Sequence, residues 1–124
     1  MSQQQPNRVW IVYNDVRKNM DDAERFGELK NLFYGRVDYG RAVEHARKML
    51  SGWKPGDYVL MVGDPTLCFI VGKVAAECAE IAGDETVKIL RWSKNDAEYQ
   101  EMTLDFNEQQ AEEVGEAEVV RKRG

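Results

Sequence analysis

The chain has 124 residues, enough for one hydrophobic core and short for two. Its 43% hydrophobic content, with three Trp, five Tyr and four Phe, excludes the charge-rich, aromatic-poor composition of chains that stay unfolded. A formal net charge of −5, from 17 Lys+Arg against 22 Asp+Glu, sets the summed field against phosphate backbones and disfavours general nucleic-acid binding.

The basic runs Arg17–Lys18, Arg47–Lys48 and Arg121–Lys122–Arg123 read as solvated surface. The first residues, Met1-Ser-Gln-Gln-Gln-Pro6, lack the apolar segment of a signal peptide, and no apolar run reaches the roughly 20 residues that span a bilayer. The expectation is a cytoplasmic protein without membrane contact. Its only cysteines, Cys68 and Cys78, fall on one predicted helix about 15 Å apart along the axis, too far to pair within a chain, which suits a reducing compartment.

In chain order, residues 1–7 are expected to be disordered. Val9-Trp-Ile-Val-Tyr13 is β-branched and aromatic and ends in Asn14-Asp15, so it reads as a buried strand running into a turn. Residues 15–28 are polar and read as a loop with one helical turn that Gly27 stops. Leu29-Lys-Asn-Leu-Phe-Tyr34 is too short to decide its own period; Phe33, Tyr34 and the glycine after them favour strand over helix end. Asp38 is a good N-cap for an amphipathic helix whose apolar stripe is Val43, Ala46, Leu50 and Trp53, ended by Gly52, Pro55 and Gly56.

Tyr58-Val-Leu-Met-Val62 is apolar throughout, as strands covered on both faces are. Gly63-Asp64-Pro65-Thr66 makes the turn out of it, with Asp64 at the N-cap and Pro65 at the first helical position, where its missing N–H costs nothing. The helix so begun runs to about Ala82, and its only charges, Lys73, Glu77 and Glu80, fall on one stripe, so most of its circumference is expected to be buried. Thr86 to Trp92, a turn over Ser93-Lys-Asn-Asp96, and Tyr99 to Phe106 suggest a closing hairpin. From Asn107 to Gly124 the chain is acidic until Arg121, with few large apolar residues, and reads as a disordered tail.

Strands alternating with helices over short links imply right-handed crossovers. The predicted fold is therefore a single α/β domain over residues 8–106. It is small, three-layer and Rossmann-like in outline, with a mostly parallel sheet, two main helices and a C-terminal antiparallel hairpin.

Ligands of open parallel sheets bind outside the carboxyl ends of the strands, which places the default ligand site at Asn14, Asp15, Gly63, Asp64 and Thr66. Gly63 would permit close backbone approach, and Thr66 could donate to an oxygen. The competing reading takes the same residues as an ordinary strand-to-helix turn with its cap. One glycine there is neither a dinucleotide fingerprint nor a phosphate-binding lysine loop, and Asp64 would repel phosphate, so a ligand bound through base and ribose or an unphosphorylated metabolite fits better.

No cofactor and no metal are expected. His45 reads as a boundary histidine beside the apolar stripe, and one His with two Cys does not make a zinc site. Asp21, Asp22 and Glu24 lack the glycine and spacing of a calcium loop. Cys68, beside Leu67, Phe69 and Ile70, reads as a small core residue. A carboxylate pair drawn from Asp15, Asp64 and Glu28 is the one enzymatic arrangement considered, without a recognisable nucleophile and base to join it. Pro65 to Gly72 carries no charge on any face. What the sheet leaves of it must be covered by the remaining elements or by another protein chain, the simplest such arrangement being a homodimer through this second helix.

Asp22-Ala-Glu-Arg-Phe-Gly-Glu-Leu29, Asp57-Tyr-Val-Leu-Met-Val-Gly-Asp-Pro-Thr-Leu-Cys68, Ile89-Leu-Arg-Trp92 and Tyr99 to Phe106 together resemble a group of small uncharacterised α/β proteins encoded by tailed bacteriophages. The likeness covers most of residues 9 to 106. It implies a phage protein working in the cytoplasm of an infected host and transfers no catalytic residue. The chain departs from the pattern in the more polar Lys30-Asn31 and in its acidic tail, differences that fall at the edge of the sheet more than at its centre. With no catalytic constellation in view, the leading expectation is a non-enzymatic accessory protein that binds a host or phage protein. The alternative is a binder that sequesters or senses a small metabolite or nucleoside-type ligand at the strand ends.

Overall fold

The computed structural model describes residues 7–14 and 20–106. The expected disordered termini lie outside these residues, except for Asn7, whose carbonyl accepts from Glu28 N at 2.9 Å. Five strands form one sheet: β1 (Arg8–Asn14), β2 (Glu28–Tyr34), β3 (Tyr58–Leu60), β4 (Thr86–Ser93) and β5 (Glu98–Asp105). Their order across the sheet is β2-β1-β3-β4-β5; the first four run parallel and β5 turns back antiparallel on β4. Two α-helices, α1 (Ala42–Leu50) and α2 (Pro65–Ile81), and two short 3-10 helices, Asp21–Phe26 and Tyr39–Arg41, complete the described chain.

The layers follow from the direction of each crossover. β2 to β3 through α1 and β3 to β4 through α2 step the same way along the sheet, so right-handed connections place both helices on one face. Trp10, Val12, Val59 and Val87 meet Ala46, Leu50, Leu67 and Val71 there in the larger core. β1 to β2 steps the opposite way, and its 3-10 helix lies on the other face, where Met20, Ala23 and Phe26 cover Val9, Ile11, Tyr58 and Leu60. The third layer is thus a single 3-10 helix. β3, buried at all three residues, sits between the layers, in keeping with its apolar sequence.

Two expectations about the helices need correction. The buried stripe of α1 is Ala42, Ala46 and Leu50, continued by Trp53, whereas Val43 is 42% exposed. The helix starts at Ala42, and the spacing 4, 4, 3 from that residue puts Val43 on the flank. In α2 the covered positions are Leu67, Val71, Val74, Ala75 and Ala79, while Phe69 is 79% and Ile81 85% exposed, so the helix is not buried around most of its circumference. One sheet face and one neighbouring helix cannot enclose a cylinder, and no described element covers the rest.

A charged residue holds the amino end of the sheet together. Asp57 is 1% exposed and accepts from Arg8 N at 3.1 Å, Arg8 Nη2 at 2.8 Å, Trp10 Nε1 at 3.2 Å and Lys54 N at 3.1 Å. These bonds satisfy a carboxylate that would otherwise be costly to bury, and they tie the start of β1 to the turn before β3.

Candidate functional site

At the carboxyl edge of the sheet, β1 ends on Asn14, β2 on Tyr34, and β3 leads into Gly63 and α2. The structure therefore brings Asn14 and the Gly63–Thr66 turn to one edge, as expected; Asp15 lies outside the described residues. Gly63 packs hard on β1. A Cβ at that position would stand 2.6 Å from Tyr13 Cβ, and its φ of +107° is one that L side chains rarely adopt. A side chain at position 63 is thereby excluded.

Asp64 is committed as well. Its Oδ1 accepts from Thr66 N at 2.7 Å, the N-cap of α2, and its Oδ2 accepts from the Tyr39 hydroxyl. The Tyr39 bond, followed by that from Thr66 N, holds the Asp64 carboxyl below its ordinary pKa, and the same contact raises the Tyr39 phenol. Asp64 is therefore an anion that anchors the turn before α1 to the start of α2, unsuited to donating a proton near neutral pH. Thr66 is exposed and gives its N–H to the cap. Of the carboxylates considered for acid–base work, Glu28 stands apart from Asp64: it begins β2 opposite Arg8, at the amino edge, about 20 Å from the carboxyl edge at the rise of a seven-residue strand.

Among the described residues, a concave surface at this edge lies beside β2. A cavity of about 360 Å³ is floored by Leu32 and Phe33 and bordered by Tyr34, Arg36, Arg41 and His45. Asn14 pairs with Tyr34, one of the residues bordering this cavity, in the register of β1 and β2. His45 Nε2 lies 2.8 Å from Leu32 O and its ring tilts against Phe33 at 5.0 Å, which fixes it as a boundary residue. Arg36 and Arg41 escaped sequence reasoning; the signal for them is their spacing around the cap residue Asp38, whose Oδ1 accepts from Gly40 N at 3.0 Å.

A second cavity, about 390 Å³, opens where α1 and α2 end, between Arg47, Ser51, Cys78 and Ile81. On its rim, Arg47 donates to Glu77 at 3.2 Å and Lys73 stands 3.3 Å from the same carboxylate, holding Glu77 below its ordinary pKa. Burial pushes both thiols up, Cys68 more enclosed near the start of α2 and Cys78 near its end, which makes them poor nucleophiles. Among the described residues, no group of three or more His, Cys, Asp or Glu is placed to hold a metal ion. No helix there is long and apolar enough to cross a membrane.

No curated protein matches the chain. No solved structure matches it either. A family profile does: that of the Phage Pam3 gp32-like protein covers residues 5–106, from the lead-in to β1 through the end of β5. On that match, which spans the whole described domain and most of its length, the chain belongs to the Phage Pam3 gp32-like protein family.

Proposed function

We propose that this phage protein is a non-enzymatic accessory factor that binds a host or phage protein in the host cytoplasm, using the outer side of α2. The observation that carries this reading is the exposure of Phe69 and Ile81, 79% and 85%, on a helix whose Leu67, Val71 and Val74 are buried and whose Ile70 is half-buried. Large apolar groups left in water at the two ends of one rigid helix are anchors of the kind that fill pockets on a partner. The commitment of Asp64, His45 and Glu77 to structural contacts, and the raised thiols, support binding over catalysis. Affinity capture from infected-cell lysate with the wild type and with Phe69→Glu and Ile81→Glu tests it. A protein recovered by the wild type and lost from both folded variants supports the reading. Recovery of nothing above a scrambled-surface control removes it.

A second reading, a small-metabolite or nucleoside-type binder, is favoured by one observation, the cavity with an aromatic floor and Arg36 and Arg41 at its border. Ligand-induced rises in melting temperature that vanish in Arg36→Ala and Arg41→Ala would locate the ligand beside β2. Loss in Asn14→Ala and Thr66→Ala would locate it at the β1–β3 crevice instead.

A further inference from the structure

The charge of the cavity beside β2 narrows its ligand further than the small-metabolite reading on which this inference rests. Leu32 and Phe33, both buried in the larger core, floor the cavity, and Arg36, Asp38 and Arg41 line it from the chain that leads out of β2 toward α1. That chain is pinned at both ends. The Tyr13 hydroxyl donates to Gly35 O at 2.6 Å, next to Arg36, and Arg41 N donates to Asp38 O at 3.0 Å. The backbone that carries the two guanidinium groups is therefore set before a ligand arrives, which lowers the ordering cost of binding.

Neither guanidinium is consumed by the fold. Among the described residues, Arg36 has no hydrogen bond or ion pair, and the Arg41 side chain meets only the exposed Asp38, at 3.9 Å, too far for a hydrogen bond. Tyr34, 70% exposed, adds an aromatic surface at the border. Two guanidinium groups against one carboxylate leave a single positive charge here, on a chain whose net charge is −5. The sign is opposite to that of the β1–β3 crevice, where Asp64 repels anions.

We propose that this cavity binds an aromatic carboxylate, its ring on Leu32 and Phe33 beside Tyr34 and its two oxygens accepting from Arg36 with the help of Arg41. A carboxylate fits in geometry, two coplanar acceptors against a planar fork, and in charge, one negative against one positive. A phosphate monoester carries about −1.5 to −2 at neutral pH and leaves part of that charge unmet in the field of an acidic protein. At about 360 Å³ the cavity stands near the lower end of small-molecule sites, roughly 300–1,000 Å³, which suits one ring with a short acidic arm and is small for a dinucleotide.

Two-dimensional amide NMR of the full chain, titrated to about 10 mM with benzoate, phenylacetate and cinnamate and with their neutral amides, tests it. A carboxylate should shift the amides of residues 32–45, and its neutral amide should bind at least about tenfold more weakly, the loss expected when a charge-assisted bidentate pair is removed. Arg36→Ala should weaken the carboxylate by the same factor, whereas Arg47→Ala, at the other cavity, should leave it unchanged. Equal affinity for carboxylate and amide at residues 32–45 overturns the proposal and leaves the small-metabolite reading standing. Adenosine monophosphate binding there more tightly than every carboxylate overturns it in favour of a phosphate ligand. No shift with any probe also overturns it, while the melting-temperature series above tests the wider reading separately.

Discussion

The indole of Trp10 donates its Nε1–H to the buried carboxylate of Asp57 at 3.2 Å, across 47 residues of sequence. Arg8 and Lys54 complete the set of donors, so one side chain closes the amino end of β1 onto the turn that starts β3. Asp57→Ala leaves the Arg8 guanidinium and the indole without their acceptor, and should cost about 3–5 kcal/mol, the usual loss when one partner of a buried pair is removed. Asp57→Asn keeps an acceptor oxygen and should cost less. Urea denaturation of the two variants against the wild type reads both values; equal stability of Asp57→Ala and wild type would remove Asp57 as the tie.

Gly63→Ala should destabilise the fold by about 2 kcal/mol or more, because the added methyl meets Tyr13 Cβ and the residue keeps a strained backbone conformation. Gly35→Ala is the comparison: its φ is also positive, at +64°, but a Cβ there meets nothing within 4 Å. Thermal melts should therefore rank Gly63→Ala well below Gly35→Ala.

Acid should weaken the fold through carboxylates whose partners lie on other elements. Asp22, in the 3-10 helix, accepts from Tyr99 N at 2.9 Å and is held below its ordinary pKa chiefly by that bond. Asp64 and Glu77 are lowered in the same direction. A lowered folded pKa contributes stability that is present above the unfolded value of about 4 and is lost as pH falls through the folded one. Denaturation midpoints should hold from neutrality to about pH 5 and decline below about pH 4, with a shallower decline in Asp22→Asn. The buried phenols of Tyr58 and Tyr99 act at the other end: their pKa values are raised, so the stability they contribute is complete below about pH 10 and lost as pH rises further.

Cys68 and Cys78 should react with a thiol reagent more slowly than a free cysteine at neutral pH, and denaturant should restore the ordinary rate, since burial raises both thiols. Stopped-flow labelling followed by intact mass measures this. An intramolecular disulfide between them would contradict their placement on one helix.

Much of the architecture is readable residue by residue. Asp64-Pro65 marks the start of α2 because a cap and a ring-fixed φ are local requirements, met by neighbours in sequence. Tyr58 to Leu60 marks the central strand because burial on both faces demands an unbroken apolar run. The errors arise where a contact is distant or a choice depends on volume. Val43 outranks Ala42 on hydrophobicity, yet the small residue takes the helix–sheet contact. The close approach of Gly63 to Tyr13 Cβ is a relation between residues 50 apart, which no local pattern announces. Glu28 could not be assigned to the amino edge until the pairing with Arg8 fixed its end of the strand. Asp57 carries one local signal, a carboxylate at the mouth of an apolar strand, and its donors on β1 leave no trace in its own neighbourhood.

Whether this phage protein works by holding another protein, as proposed, is tested most directly by native mass spectrometry of the chain isolated gently from infected cells. The expected result is a second polypeptide bound in fixed stoichiometry, absent when Phe69 and Ile81 are both changed to Glu. A reproducible small-molecule adduct with no bound polypeptide would contradict it and return attention to the cavity between Phe33 and Arg41.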